Sequence, residues 1–140
     1  MEQRIGNFSI FKGLGINYLK HLSNKACDFN YLPGEIIIKE GDKNNDDIYL
    51  ISSGEADIYI GRKKIKTIET GDIVGEMASL TNSPRSATVK AKTSVCLIKL
   101  NKAGFTKIIN ETKHGQEIKN IVAKRVHHNA SQFGKVKRYK

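Results

Sequence analysis

Within ten positions, from Glu76 to Arg85, the chain places an acid, small residues and an arginine that together suit a sugar phosphate. The segment reads Gly71-Asp72-Ile73-Val74-Gly75-Glu76-Met77-Ala78-Ser79-Leu80-Thr81-Asn82-Ser83-Pro84-Arg85-Ser86-Ala87-Thr88-Val89. Gly75 permits a tight backbone path or the close approach of a ligand. Residues 76–80 can form one helical turn whose free N–H groups suit an anion. Pro84 stiffens the chain ahead of a strand. Arg85 enters that strand beside the small Ser86 and Ala87, which leaves its fork uncrowded. Guanidinium and amides hold a phosphate through charge-assisted, often bidentate bonds. A carboxylate such as Glu76 suits a pair of hydroxyls, as on a ribose. One ligand carrying both groups is a nucleotide. The competing reading is a Glu76–Arg85 ion pair closing a loop, a common arrangement worth little.

The elements that must hold this segment are short strands. Strands are expected at Phe29–Leu32, Glu35–Lys39, Asp47–Ser52, Glu55–Ile60, Lys63–Glu69, Ser86–Ala91 and Ser94–Leu100. Turns at Pro33-Gly34, Gly41-Asp42, Ser53-Gly54, Gly61 and Gly71-Asp72 punctuate them. Strands at intervals of roughly 8–12 residues argue a barrel or sandwich. Helices flank the strands. Residues 8–28 carry an apolar stripe of Tyr18, Leu19, Leu22 and Ala26, with Phe8, Ile10, Phe11 and Leu14 on a turn before the main helix. Residues 101–112 start at a capping Asn101 and bury Ala103, Phe105, Ile108 and Ile109. Gly115 breaks the run, and 116–130 forms a last helix with Ile118, Ile121, Val122 and Val126 on one side. A basic tail, 131–140, frays. The whole chain, 1–140, reads as a single domain with its barrel at about 29–100.

Composition narrows the class. Of 140 residues, 39% are hydrophobic and 27% charged, as in a soluble globular protein. No apolar run approaches the roughly 20 residues of a membrane span, and the N-terminus lacks an apolar signal core. A cytoplasmic protein, or a fragment of one, is expected, with no membrane insertion. Cys27 and Cys96 are expected to be free and buried thiols. The net charge of +10 concentrates at the end, where residues 113–140 hold eight basic side chains against Glu117 alone. A solvated helix with a loose basic tail explains this better than nucleic-acid binding, since no aromatic ladder or recognition helix accompanies the charge.

Several chemistries are set aside. Asp42-Lys43-Asn44-Asn45-Asp46 opens like a calcium loop, but Asp47 stands where glycine is needed and Ser53 where glutamate is needed. His21, His114, His127 and His128 all fall outside the expected barrel, which removes a metal site. No Ser or Cys sits in a nucleophile elbow, so the chain is not expected to be an enzyme and no cofactor is implied.

The cassette resembles the phosphate-binding segment of the cyclic-nucleotide-binding domain family, found in catabolite-activator-type regulators, kinase regulatory subunits and nucleotide-gated channels. Gly75-Glu76-Met77-Ala78 and Pro84-Arg85-Ser86-Ala87-Thr88-Val89 carry the match, with Val74 in place of the common Phe. The likeness extends over about residues 8–112. It includes Phe11-Lys12-Gly13-Leu14, Pro33-Gly34-Glu35-Ile36-Ile37, Glu40-Gly41-Asp42 and Tyr49-Leu50-Ile51-Ser52-Ser53-Gly54-Glu55.

The resemblance implies a mainly β, eight-stranded, jelly-roll-like barrel with flanking helices, and a signal-transducing regulatory domain that binds cyclic AMP or cyclic GMP. Glu76 would take the ribose 2′-hydroxyl and Arg85 the cyclic phosphate. The Ala78 amide would face the phosphate, with the Ser86 and Ala87 amides close by. Ser86, rather than Thr, favours cyclic AMP. Arg125, Val126, His127 and Phe133 are candidates to cap the base. Phosphate would draw in residues 76–80, and Met77 and Leu80 would then bias the helices after Leu100. The expected partners are the nucleotide and either a protein or the effector domain of a parent protein. The alternative is a ligand-degenerate barrel that docks an acidic partner through the basic C-terminus.

Overall fold

The computed structural model describes residues 1–43, 45–75 and 83–120. Among these the strands are β1 (Cys27–Tyr31), β2 (Ile36–Ile38), β3 (Ile48–Ser53), β4 (Glu55–Ile60), β5 (Lys63–Glu69), β6 (Ile73–Val74), β7 (Thr88–Ala91) and β8 (Val95–Leu100). They form two four-stranded antiparallel sheets, ordered β1-β8-β3-β6 and β2-β7-β4-β5. The two sheets share no strand pairing, so the expected barrel is an open jelly roll of two packed sheets.

Strand alternation assigns each side chain to one of two cores. Along β3, Ile48 and Leu50 join an outer cluster with Leu22, Phe105, Ile108 and Ile109, while Tyr49 and Ile51 join an inner cluster with Ala56, Ile68, Val89 and Ala91. On β8, Ile98 and Leu100 face outward and Val95 and Leu97 inward; β6 splits Ile73 from Val74 in the same way. Strands β3, β6 and β8 of the first sheet therefore meet the helices on one face and the second sheet on the other, while β1 at its edge is largely exposed. Each fully buried Leu or Ile stabilises the fold by roughly 1.5–3 kcal/mol.

The helical layer keeps the expected turn and main helix at the start, but adds a short first helix and ends the main one earlier. Residues form α1 (Glu2–Gly6), a 3₁₀ turn at Ser9–Phe11 and α2 (Ile16–Ser23). The expected stripe holds on α2 for Tyr18, Leu19 and the buried Leu22, whereas Ala26 packs against the outer core from beyond the helix end. The chain has already become strand by Cys27, because pairing with β8 begins at Cys27↔Lys99.

After the sheets comes α3 (Lys102–Glu111), capped by the Asn101 side chain, which accepts from the Gly104 amide at 2.8 Å. Phe105, Ile108 and Ile109 are buried as expected, but Ala103 is exposed and Gly104 lies inward instead. A Cβ on Gly104 would lie 2.6 Å from the His21 carbonyl, so α2 and α3 cross there with no room for a side chain. Gly115 also corrects an expectation. It lies inside the helical residues 113–120, and the break falls at Thr112, whose backbone is extended. A Cβ on Gly115 would sit 1.9 Å from the Ile108 carbonyl oxygen, so the glycine serves close packing rather than a break.

Cys27 is exposed and Cys96 half-buried, both as free thiols, so they are not the buried pair expected. The Cys96 thiol meets Asp28 across the β1–β8 ladder. Cys27, one position earlier, points to the opposite face. No described helix is long and apolar enough to cross a membrane. Ile121, Val122, Val126, the basic tail and the proposed base-capping residues Arg125, His127 and Phe133 lie outside the described residues.

Candidate functional site

Arg85 is expected at a strand's start with its fork open, but it precedes β7 and is buried, with only 3% exposure. Its backbone is clasped to the loop after β2: the Gly41 amide donates to the Arg85 carbonyl (2.8 Å), and the Arg85 amide donates to the Asp42 carbonyl (3.0 Å). Its guanidinium is held at three points. Nη1 donates to the Gly75 carbonyl at 2.8 Å, and Nη2 donates to Asn45 Oδ1 at 2.8 Å and to the Asp47 carbonyl at 2.6 Å. Buried Nε finds no partner among the described residues. A buried, unpaired donor on a cation is costly. It marks the direction from which an acceptor fits.

Gly75 explains how the arginine comes so close to the chain. Its φ is +89°, and a Cβ there would lie 2.5 Å from the Asp47 carbonyl oxygen and 2.7 Å from Arg85 Nη1. Only a residue without a side chain lets β6, the loop before β3 and the guanidinium meet. Val74, at the end of β6, is buried in the inner core. Ser86 is exposed and Ala87 half-buried, just before β7. Glu76, Met77 and Ala78 lie outside the described residues, as do Leu80 and the alternative Glu76–Arg85 ion pair.

Asn45 and Asp47 were not anticipated in this role: Asn45 stood in the run set aside as a calcium loop, and Asp47 was expected only to open a strand. Asn45 Oδ1 also accepts the Asp47 amide at 3.1 Å, which folds the loop back on itself. Electrostatics around the arginine are mixed. Burial pushes the Arg85 pKa below its ordinary value, and Tyr49 and the acids Asp47, Asp46 and Asp42 oppose that shift. Tyr49 donates to Asp47 Oδ2 at 3.4 Å, and burial, followed by the Asp47 charge, pushes its phenol up to about 12. Chemically the place is a rigid buried cation with one donor to spare among the described residues, beside a glycine turn.

Against known proteins, the model of the Cyclic nucleotide-binding domain family matches residues 28–112. The chain belongs to the cyclic nucleotide-binding domain family. That span takes in β2 to β8, α3 and all of β1 but its first residue. Among similar proteins, the cAMP-dependent protein kinase type II regulatory subunit of Drosophila melanogaster is 33% identical over 78% of this chain and 29% of its own length. The cGMP-dependent protein kinase of Plasmodium berghei is 35% identical over 75% of this chain and 12% of its own. This cyclic nucleotide-binding domain thus spans less than a third of either relative. The solved cAMP-bound PfPKA-R structure superposes with a TM-score of 0.78 at 27% identity, covering 96% of this chain and 45% of that one. A superposition of that quality over nearly the whole chain shows that the two share a fold.

Proposed function

We propose that this chain is a non-catalytic sensing module that captures a cyclic nucleoside monophosphate, cyclic AMP in preference to cyclic GMP. The observation that carries the reading is the buried Arg85, fixed by neutral acceptors at its two ends and left with Nε unpaired among the described residues. A singly charged phosphodiester supplies the missing acceptor and the missing charge. Glu76 takes the ribose 2′-hydroxyl, and the amides of Ala78, Ser86 and Ala87 complete the phosphate cradle beside Gly75. Val74 and Met77 supply apolar wall. Ser86 in place of Thr, as in the cyclic AMP-binding bacterial activators that the family resemblance brings in, leans toward adenine. Kinship with a cAMP-dependent regulatory subunit and with cAMP-bound PfPKA-R supports cyclic AMP, while the cGMP-dependent relative keeps cyclic GMP as the competitor to test.

The module passes its state onward by population shift. Phosphate held near residues 76–80 biases the packing of α3 and the helical residues after it, toward a cytoplasmic protein partner or an effector domain of a longer chain. A ligand moves such an equilibrium only by its differential affinity for the two arrangements. Amide exchange should therefore slow in residues 101–130 on adding nucleotide; unchanged protection there removes this coupling.

The binding test is a calorimetric titration with both nucleotides. Removing one partner of a buried charge pair costs roughly 2–5 kcal/mol. Arg85→Ala should therefore weaken binding at least about thirtyfold. No heat with either ligand on folded, nucleotide-free protein overturns the proposal.

A further inference from the structure

The guanidinium of Arg85 touches only neutral acceptors among the described residues: two backbone carbonyls and one side-chain amide. Yet two carboxylates sit immediately beside those acceptors, on Asp46 and Asp47. Neither turns to Arg85. The Asp46 carboxylate is bonded to the Lys102 ammonium, and Asp47 Oδ1 faces Lys99 Nζ at 3.7 Å. Lys102 holds the Asp46 carboxyl below the usual carboxylate range. The two lysines come from elsewhere in the fold. Lys99 lies between the outward-facing Ile98 and Leu100, so it points to the inner side of β8. Lys102 is the first residue of α3.

We infer that Lys99 and Lys102 keep the phosphate arm available to an anion by occupying the two carboxylates that would otherwise compete for it. The inference rests on the reading of Arg85 as the phosphate arm. A carboxylate tethered within a few residues of Nη2 acts at high effective concentration. Freed from its lysine, it repels an incoming phosphate and can swing to the unpaired Nε in its place. Repulsion between like charges at such range is appreciable even in a wet site. Asp42 adds a third negative group to the same loop, with its carbonyl on the Arg85 amide. Because Lys102 opens α3, anion affinity is linked to where that helix sits. A displaced α3 carries the lysine off Asp46 and lowers affinity, and by reciprocity a bound anion favours the docked helix.

Calorimetric titration of the full chain with cyclic AMP at low salt tests this. Lys102→Ala should weaken binding by about two- to fivefold, the range of a half-exposed pair. Lys99→Ala with Lys102→Ala should approach about tenfold. The decisive variant is Lys102→Ala with Asp46→Asn, which removes the competitor along with its guard and should return affinity to within about twofold of wild type. Raising salt should close the gap between Lys102→Ala and wild type. Wild-type affinity in the double lysine variant overturns the inference. So does failure of Asp46→Asn to rescue, since a lysine that merely braces the loop is not replaced by neutralising its partner. Binding that is absent in wild type, or untouched by Arg85→Ala, instead overturns the phosphate-arm reading and removes this inference with it.

Discussion

Replacing Gly75 by alanine should damage the proposed phosphate site and the fold together, by amounts that can be separated. The backbone there has φ +89°, and holding an L-residue in the left-handed region costs roughly 1–2 kcal/mol. The added Cβ would also meet the Asp47 carbonyl oxygen at 2.5 Å and Arg85 Nη1 at 2.7 Å. Relieving an overlap of that kind typically costs a further 1–3 kcal/mol, roughly. Together these predict a loss of about 2–5 kcal/mol, or a melting temperature lower by about 6–20 °C for a chain of this size. Gly61→Ala is the control. Gly61 has φ +60°, and nothing lies within 4 Å of its added Cβ, so it pays the conformational term alone. Relief also pushes Arg85 off its carbonyl, and a displaced catalytic or binding group loses about tenfold or more. Thermal denaturation and nucleotide titration of both variants give the answer. A Gly75→Ala protein that melts with Gly61→Ala and binds like wild type refutes the steric reasoning.

Tyr49 should titrate late. Its folded pKa of about 12 lies above the ordinary 10.0, so the neutral phenol is favoured by the fold. The stability it contributes is complete below pH 10 and drains away as pH rises toward 12, as the unfolded chain ionises first. Phenolate absorbance of wild type against Tyr49→Phe should lose its highest-pH phase; a variant that loses an ordinary phase contradicts the burial argument. At the other end of the sheet, Asn101→Ala removes the side-chain acceptor for the Gly104 amide and should lower the urea midpoint by the equivalent of about 1 kcal/mol. An unchanged midpoint would show that water replaces that cap.

Legibility followed the range of the interaction. Strands β4 and β5 match their expected bounds, Glu55–Ile60 and Lys63–Glu69, because tight alternation and a glycine turn are local signals. Gly75 and Arg85 could each be singled out because the cassette lies in one short stretch, but their contact with each other could not. What holds Arg85 was not recognisable. The Asp47 contact uses a backbone carbonyl, which every residue has, and Asn45 lies 40 positions away in a loop without periodicity. The two-residue β6 is too short to show alternation. Gly115 was read as a helix break, and Gly104 was passed over, for a similar reason. A glycine that breaks a helix and one that lets two helices touch look alike until the crossing is seen.

The double-faced burial of β3 and β8 has a consequence for how this chain tolerates change. Neighbouring residues on one strand answer to different layers: Ile48, Leu50 and Ile98 to the helices, Tyr49, Ile51 and Leu97 to the space between the sheets. Substitutions at odd and even positions of the same strand can thus drift independently, one set tuning how firmly the helices seat and the other reshaping the interior. The wall itself, buried from both sides, is the part of the chain with the least freedom to vary.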